Sequence, residues 1–397
     1  MEMSQAAPLR IGITCYPSVG GSGILASSLG QELARRGHEV HFISYQRPFR
    51  MPAGQPGLFF HPVVINDYGL FKYPDYTLPL SVKMAEVSLH YRLDVLHVHY
   101  AVPHATAAIL ARSMLPPANQ PRVVATLHGT DTTLLGRDPG YGPAIQHALD
   151  RSDAVTTVSH FLKEETQRLL SVKRPIEVIY NFANPRTPAR SRGEVRQELG
   201  LGEGQALIWH ASNLRPVKRI DLLLETVSRL RPRDSFKLLI LAGESFGAFE
   251  ADVRRLKLED QVMVCEKVED FETYLRAADL GLFTSDSESF CLSILEAMFF
   301  ACPSVATCVG GIPEVIEDKV SGLLVPPGAV EALAAAVQGL IDSPRRREAL
   351  GRAAQERARK CFGAEVILPQ YESLYLRLLA DGRGLGQEIN RPTAGYP

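Results

Sequence analysis

The chain has 397 residues, with 43 basic and 44 acidic side chains and a formal net charge of −1. This length predicts two domains of ordinary size, and the balanced charge argues against a general nucleic-acid binder or a protein of anionic membrane surfaces. No apolar run reaches membrane-spanning length and the N-terminus lacks an apolar signal core, so a cytoplasmic location is expected. The six cysteines form no CxxC pair and are expected to be reduced.

The first half of the chain alternates short apolar runs with helical patterns. RIGITCYP is followed by a glycine-rich turn and by a helix with apolar residues at Leu25, Leu29 and Leu33 that stops at Gly37. The later runs EVHFISY, LDVLHVHYA, RVVATLHG, DAVTTVS and IEVIY predict further strands. Strands separated by helices indicate a parallel sheet with crossover helices.

The second half repeats this organisation. A segment rich in Pro, Arg and Gly follows at about residue 184 and is predicted to be a linker. The alternation then restarts with ALIWHAS, KLLILAG, VMVCE, LGLFTS, PSVAT and GLLVPP. We therefore predict the α/β class, with two doubly wound domains at residues 1–183 and 184–363. In such folds ligands bind at the carboxyl ends of the strands, here in the cleft between two sheets.

The first loop, YPSVGGSG, places Gly20, Gly21 and Gly23 between a strand and a helix N-terminus. Backbone N–H groups and the helix dipole favour an anion there. The spacing is not G-x-G-x-x-G, and EVHFISY ends without an acid for a ribose, so a dinucleotide cofactor is disfavoured. A merely tight turn remains the alternative.

A second loop, HASNLRPVKR, follows a strand in the second half and carries two cations. Arg215 and Lys218 precede a predicted helix, where fixed positive charges can converge on a diphosphate. The alternative is a solvated basic turn.

The segment ESFCLSILE contains two acids, Glu288 and Glu296, at a spacing that suits neither a helical ion pair nor a usual metal site. We predict that Ser289–Leu292 form the first turn of a helix whose free N–H groups face phosphate. Glu296 would then lie about 9 Å further along the axis at about 1.5 Å per residue. A ligand along this helix end would give its phosphate to the N–H groups and its hydroxyls to the carboxylates. The alternative is a capping acid plus a surface acid, although the apolar SILEAMFF context predicts that Glu296 is buried.

Histidines in the first half suggest a metal only weakly. His97 and His99 share one face of a strand, and His104 follows. Without a nearby Cys or acid pair, such buried histidines are more typical of structural roles. Asp131 is a candidate base and equally a candidate cap of the following turn.

ESFCLSILEAM resembles the E-x7-E motif of the retaining glycosyltransferases of family four, which have the GT-B fold of two Rossmann-like domains; VGGIPEVI and HASNLRPVKR fit the same family. The blocks IGITCYPSVGGSG, KYPDYTLPLSVKMAEV, LDVLHVHYAVPHA, TLHGTD and TVSHFL are similar to the branch that transfers N-acetylglucosamine from UDP-GlcNAc to L-malate, the first step of bacillithiol biosynthesis. The resemblance covers nearly the whole chain up to the last helix. This helix, at 364–381, is expected to pack back on the N-terminal domain.

The resemblance also implies residue roles in the donor site. Glu296 would hold the nucleotide ribose, Glu288 the donor sugar, and His128 would lie beside the transferred sugar. The predicted catalytic residues are His128, Glu288, Lys218 and Arg215. The predicted UDP-sugar site comprises Gly20, Gly21, Arg215, Lys218, Glu288, Ser289, Phe290, Cys291, Leu292 and Glu296.

The resemblance implies that no metal and no cofactor are needed, which agrees with two cations and a helix terminus facing the phosphates. The resemblance implies retention at the anomeric carbon, with the leaving phosphate accepting the acceptor's proton. L-Malate is a dianion and needs donors and a cation, for which Lys83, Tyr100 and Thr130 are the candidates. For Lys83 the alternative is a surface helix lysine.

Other functions remain open at this stage. An inositol phosphate or a mannoside is an alternative acceptor, and a UDP-GlcNAc epimerase or a non-catalytic nucleotide-sugar sensor is an alternative of another class. A homodimer is also left open. The chain departs from the family at Cys291, where a glycine is usual, and in MFFACP and LAGESFGAFE, which puts nucleotide preference in question.

Overall fold

The protein contains two parallel β-sheets, each flanked by helices. The computed structural model describes residues 7–17, 20–52, 54–65, 75–268 and 270–383. The first sheet has the order β3-β2-β1-β4-β5-β6-β7. Its strands are β1 (Arg10–Thr14), β2 (Glu39–Ser44), β3 (Leu58–Pro62), β4 (Val95–His99), β5 (Arg122–Leu127), β6 (Ala154–Thr157) and β7 (Ile176–Val178).

The second sheet repeats this topology on a smaller scale, in the order β10-β9-β8-β11-β12-β13. Its strands are β8 (Ala206–Ser212), β9 (Phe236–Ala242), β10 (Val262–Glu266), β11 (Leu280–Phe283), β12 (Ser304–Thr307) and β13 (Gly322–Val325). In both sheets all described strand pairs are parallel, and the strand order reverses beside the first strand of the unit. The predicted α/β class with two doubly wound units is confirmed.

Helices connect the strands as crossovers. In the first half they are α1 (Gly21–Arg35), α2 (Thr77–Tyr91), α3 (Thr106–Ser113), α4 (Thr130–Thr133), α5 (Gly142–Arg151) and α6 (His160–Leu169). Later helices are α7 (Arg192–Glu198), α8 (Ile220–Ser228), α9 (Glu250–Arg255), α10 (Phe271–Ala277), α11 (Leu292–Phe299), α12 (Ile312–Val315), α13 (Val330–Ile341), α14 (Pro344–Phe362) and α15 (Ala364–Arg383). Within the described residues, no helix is both long enough and apolar enough to cross a membrane.

The core follows the predicted periodicity. Leu25, Leu29 and Leu33 of α1 are buried against the first sheet, and Gly37 ends this region with a φ of 95°. All six cysteines are free thiols, as predicted.

β3 was not predicted, because it is an edge strand whose residues are only partly buried and therefore lack a continuous apolar run.

The last helix, α15, packs on the first sheet. Its residues Ile367 and Tyr371 are buried in one core with Ile11 and Ile13 of β1. The Tyr375 hydroxyl lies 2.7 Å from Nδ1 of His97, so the helix is also joined to β4 by a hydrogen bond. The domain boundaries at 183 and 363 stay predictions.

Candidate active site

A buried ion pair marks the C-terminal side of the cleft. The Lys218 ammonium donates to Oε1 of Glu288 at 2.5 Å, and the Ser285 hydroxyl donates to the same oxygen at 2.9 Å. The two charged side chains are only 20% and 10% exposed. Burial disfavours the charged Lys218, but the Glu288 carboxylate outweighs it, and the pKa of Lys218 lies above its ordinary value. A charged pair is therefore already assembled where a diphosphate and a sugar were predicted.

The helix after Glu288 begins later than predicted. α11 starts at Leu292, so Ser289, Phe290 and Cys291 precede it and the predicted first turn at Ser289–Leu292 is wrong. Cys291 is the N-cap residue, with a φ of 71° in the left-handed region. This conformation favours glycine, which explains why the family usually has glycine at this position. The free N–H groups at the helix end belong to Leu292 and Ser293.

Two glycines hold the Glu288 segment in place. A Cβ atom on Gly310 would lie 1.8 Å from the Glu288 carbonyl oxygen, and one on Gly311 would lie 2.2 Å from the Ser289 carbonyl oxygen. Gly311 N–H donates to the Glu288 carbonyl at 2.9 Å. Only residues without a side chain allow this approach, so the VGGIPEVI segment sets the backbone path between Glu288 and α11. This packing is the physical reason that the helix does not begin at Ser289.

Arg215 lies at the exposed edge of the same side. With its amide oxygen facing Arg215, Asn213 accepts from the guanidinium at 2.6 and 2.7 Å. The Arg215 charge acts on both the Lys218 ammonium and the Tyr100 hydroxyl, so it is near both groups. The two predicted cations are thus brought together.

Glu296 lies within α11 and is 8% exposed, so its predicted burial is confirmed. Burial raises the pKa of Glu296 to about 8; Arg50 opposes this rise and Glu272 adds to it. A surface acid is therefore excluded.

The N-terminal side of the cleft begins at Tyr100. Its φ of 78° is in a region that non-glycine residues rarely adopt. Its hydroxyl lies 2.7 Å from the Ser22 hydroxyl at the start of α1, and its ring centroid is 5.1 Å from that of His128. Burial raises the pKa of Tyr100 to about 12, so its hydroxyl stays neutral.

The glycines of the first loop reach the other domain. Gly20 is the N-cap residue of α1, and a Cβ atom on Gly21 would lie 3.8 Å from Cβ of Leu292. The N-termini of α1 and α11 therefore face each other across the cleft. Ser18 and Val19 of this loop lie outside the described residues.

The histidines form a cluster in which His97, His99 and His104 are buried and His128 is half-buried. His128 Nε2 lies 2.9 Å from Nδ1 of His99, and both ring nitrogens of His97 are occupied, by Tyr375 and by the Thr126 hydroxyl at 2.7 Å each. Burial lowers the pKa of His97 and His128 to about 3. In the described part of the chain, no group of three or more His, Cys, Asp or Glu residues is arranged to hold a metal ion.

Asp131 holds the loop that carries His128 and Thr130. Its Oδ1 accepts from Gly129 N–H at 2.9 Å and its Oδ2 from Ala101 N–H at 3.2 Å. Burial raises the pKa of Asp131 to about 6. Both oxygens are engaged with backbone, which favours a structural brace over a free base.

Lys83 is not joined to the other two acceptor candidates. Its ammonium donates to Glu86 at 2.6 Å on the same helix, α2, and its charge acts on His61 of β3. Among the described residues, no hydrogen bond or ion pair connects Lys83 with Tyr100 or Thr130. Its acceptor role stays a prediction.

Two further contacts cross the cleft. A Cβ atom on Gly129 would lie 1.9 Å from the Ser289 hydroxyl oxygen, so TLHGTD packs directly on the donor segment. The Glu314 carboxylate of α12 accepts from the N–H groups of His160 and Phe161 at 2.8 Å each, and so caps α6 of the other half.

Comparison with known proteins identifies the family to which this chain belongs. The model for Glycosyltransferase Family 4 matches residues 19–187, and the model for Glycosyl transferases group 1 matches residues 191–357. Together the two matches cover both sides of the cleft. The chain belongs to glycosyltransferase family 4.

The relatives within this family include a full-length match. N-acetyl-alpha-D-glucosaminyl L-malate synthase from Bacillus anthracis is 41% identical over 94% of this chain and 98% of its own length. D-inositol 3-phosphate glycosyltransferase from Mycobacterium marinum is 25% identical over 94% of this chain and 85% of its own length.

Solved structures of glycosyltransferases share the GT-B fold. A sucrose-phosphate synthase from Thermosynechococcus elongatus has a TM-score of 0.76 at 21% identity and covers 94% of this chain and 100% of that one. Anabaena HepE in complex with UDP and glucose has a TM-score of 0.77 at 19% identity, with 92% and 99% covered. At these identities the likeness shows the fold alone.

Several residues at the glycosyltransferase cleft were not predicted from the sequence. They are Ser22, Arg50, Glu272, Ser285 and Glu314. Ser22 follows Gly21 and Ser285 precedes Glu288 by three residues, so proximity to the motifs was an available signal. Arg50 and Glu272 lie far from any motif, and their pairing had no local signal.

Proposed function

We propose that this protein transfers N-acetylglucosamine from UDP-GlcNAc to L-malate with retention of configuration. The observation that carries the proposal is the facing arrangement of the Lys218–Glu288 pair and α11 with Tyr100 and His128. The choice of acceptor is supported by the malate synthase relative, because the match at 41% identity extends through the first half as well as the second.

The donor diphosphate would lie between Arg215, Lys218 and the facing N-termini of α1 and α11. These groups offer two positive charges and free N–H donors, which stabilise the charge that develops on a leaving diphosphate. When phosphate draws Lys218 away, Glu288 becomes free to accept hydrogen bonds from sugar hydroxyls. Glu296, eight residues on, would accept the ribose hydroxyls. No metal would be required, and we expect the rate to be unchanged by EDTA.

The transfer itself needs no side-chain nucleophile. The malate hydroxyl oxygen forms a bond to the anomeric carbon on the face from which the bond to the β-phosphate oxygen breaks. The hydroxyl proton passes to that phosphate oxygen, and the products are UDP and the malate glycoside. His128, neutral because burial lowers its pKa to about 3, would contact the sugar as a hydrogen-bonding group and not as a cation.

The acceptor would occupy the N-terminal side. The Tyr100 and Thr130 hydroxyls would donate to malate carboxylates, and Lys83 would supply the cation. The Arg215 charge acts on the Tyr100 hydroxyl, so Arg215 is an alternative source of this cation.

The proposal is tested by incubating the protein with UDP-GlcNAc, with and without L-malate, and measuring UDP release and product mass. We expect UDP release that depends on malate and a product of the mass of GlcNAc-malate. Release without malate, or a new UDP-sugar isomer, would reject the transfer in favour of hydrolysis or an epimerase. Parallel reactions with D-inositol 3-phosphate and a mannoside test the rival acceptors, and UDP-GlcNAc binding without turnover would indicate a sensor.

A further inference from the structure

The N-terminus of α6 is capped by side chains from both halves of the chain. The Ser159 hydroxyl, from the same half as the helix, accepts from Leu162 N–H at 3.1 Å. The Glu314 carboxylate, from α12 in the second half, accepts from the N–H groups of His160 and Phe161 at 2.8 Å each. N–H groups in a first helical turn have no partner within the helix, and the helix dipole favours a negative charge beside them. Glu314 therefore supplies a charged cap to a helix of the other half.

Further hydrogen bonds fix the position of Glu314. Arg357 of α14 donates to the carbonyl oxygens of Glu314 and Val315 at 2.8 Å each, so the backbone of α12 is held within the second half. The Tyr180 hydroxyl, which follows β7 of the first sheet, donates to Oε2 of Glu314 at 3.1 Å. The same oxygen accepts from His160 N–H. The carboxylate thus accepts three hydrogen bonds from the first half, and hydrogen bonds to an ionised acceptor are the stronger kind.

The cap lies beside the place where the chain passes between the two sheets. Ala183 N–H donates to the Phe362 carbonyl at 3.3 Å, so the outgoing and returning stretches of chain are joined there. The Tyr180 ring centroid lies 5.4 Å from that of Phe362 and 6.1 Å from that of Phe290, in the segment after Glu288. Rotations between domains occur about a few residues at such crossings. A contact at this place therefore controls how the two halves are oriented.

On the side of the second half, the backbone before Glu314 is packed against the Glu288 segment. Gly311, three residues before Glu314, donates its N–H to the Glu288 carbonyl at 2.9 Å. A Cβ atom on Gly310 would lie 1.8 Å from the same oxygen. On the side of the first half, α6 follows β6, which pairs with β5, and β5 leads directly into His128. The Glu314 cap thus joins the elements that carry Glu288 to the elements that carry His128.

The two substrates of the proposed transfer are bound by different halves. The donor sugar would contact Glu288, whereas the acceptor would contact Tyr100 and Thr130. We propose that Glu314 is a positioning residue, which orients the two halves so that the acceptor hydroxyl meets the anomeric carbon. This inference rests on the proposed function and deepens it. Because a misplacement of about 1 Å can slow a reaction strongly, loss of the cap should lower turnover although Glu314 contacts neither substrate.

The test compares the two caps of the same helix. Glu314→Gln keeps the size of the side chain but removes its charge and one acceptor oxygen, and Ser159→Ala removes the cap supplied within the first half. Both variants should unfold at a lower urea concentration than wild type, because each loses a helix cap. At saturating UDP-GlcNAc and L-malate, we expect kcat to fall about tenfold in Glu314→Gln and by less than about twofold in Ser159→Ala.

UDP affinity separates positioning from donor binding. Measured by calorimetry without acceptor, it should stay within about threefold of wild type in both variants, because Lys218, Glu288 and Glu296 remain in place. Tyr180→Phe is a milder form of the same change, since it removes one of the three donors to Glu314, and it should lower kcat about threefold.

Glu317→Gln is the matched acid control. Its carboxylate lies 3.6 Å from Nη1 of Arg357 within the second half, and kcat should be unchanged. An unchanged kcat in Glu314→Gln and Tyr180→Phe would overturn the inference, as would equal losses of kcat in Glu314→Gln and either Ser159→Ala or Glu317→Gln. A loss of UDP affinity as large as the loss of kcat would also overturn it. All of these results leave the proposed function intact, whereas wild-type protein without malate-dependent UDP release would reject the proposed function itself.

Discussion

The two sides of the cleft differ in whether charged or neutral polar side chains line them. The C-terminal side relies on formal charge, with Lys218 paired to Glu288 and Arg215 nearby. On the N-terminal side the Tyr100 and His128 side chains are neutral near pH 7, because burial raises the pKa of Tyr100 to about 12 and lowers that of His128 to about 3. One side is suited to a diphosphate and the other to hydroxyl contacts.

This difference has a consequence for the acceptor. A dicarboxylate on the neutral side cannot obtain its counter-charge from the histidines, since protonating them there is unfavourable. The cation must come from Lys83 or from Arg215 across the cleft. The predictions below test this division, from the largest expected effect to the smallest.

Lys218→Met should remove the partly buried positive charge of the C-terminal side. It leaves the Glu288 carboxylate without its cation and removes one of the two positive charges proposed for the diphosphate. We expect kcat/KM to fall about 1000-fold, or about 4 kcal/mol. Initial rates and UDP binding measure this effect. Lys360→Met, at an exposed site on α14, is the control and should be unchanged. A fall in kcat/KM of less than tenfold in Lys218→Met would contradict the proposal that charge on the C-terminal side stabilises the diphosphate.

Acid should act chiefly on the neutral side. The pKa values of His97 and His128 are lowered to about 3 and that of His104 to about 4, so below pH 6.5 the unfolded chain binds protons that the folded one excludes. The free energy of unfolding should therefore fall as the pH falls from 6.5 to 4, by about 1.4 kcal/mol per pH unit for each such histidine. Two carboxyls with raised pKa values oppose this trend: Asp131, at about 6, and Glu296, at about 8, bind protons more readily in the folded chain. Urea unfolding of wild type and His104→Gln measures the slope, which should be smaller in the variant; equal slopes would refute the assignment.

Lys83→Met tests the source of the acceptor's cation. We expect the KM for L-malate to rise about tenfold, as for loss of one charge-assisted hydrogen bond, with UDP affinity unchanged. Glu86→Gln, which removes the observed partner of Lys83, should not raise this KM. An unchanged malate KM in Lys83→Met would remove this residue from the acceptor site and leave Arg215 as the cation.

Cys291→Gly tests the strain on the charged side. The φ of 71° at Cys291 disfavours residues with a Cβ atom. The free energy of unfolding should rise by about 1 kcal/mol in urea unfolding, because the left-handed conformation has no penalty for glycine. Cys308→Gly, at an exposed cysteine outside the positive-φ residues, should give no such gain. A loss of stability in Cys291→Gly would show that the thiol packing outweighs the backbone strain.

The fold was largely predictable because its signals are local. Apolar runs of parallel strands are nearly continuous when both faces are buried, and every such run named in the sequence became a strand. β3 was missed because an edge strand lacks that run. The start of α11 was predicted three residues early, because Gly310 and Gly311 pack on the preceding backbone and no local pattern encodes that contact.

The sequence by itself determined the order of strands and helices, the glycines of the turns and the spacing of Glu288 and Glu296, since all of these depend on neighbours in the chain. Only the tertiary structure decided which side chains meet. Arg50 and Glu272 are 222 residues apart, and Ser22 and Tyr100 are 78 apart. Such contacts depend on strand order and on how the two sheets face each other. Burial, which lowers the pKa of the histidines and raises that of Glu296, is likewise a property of the packed molecule.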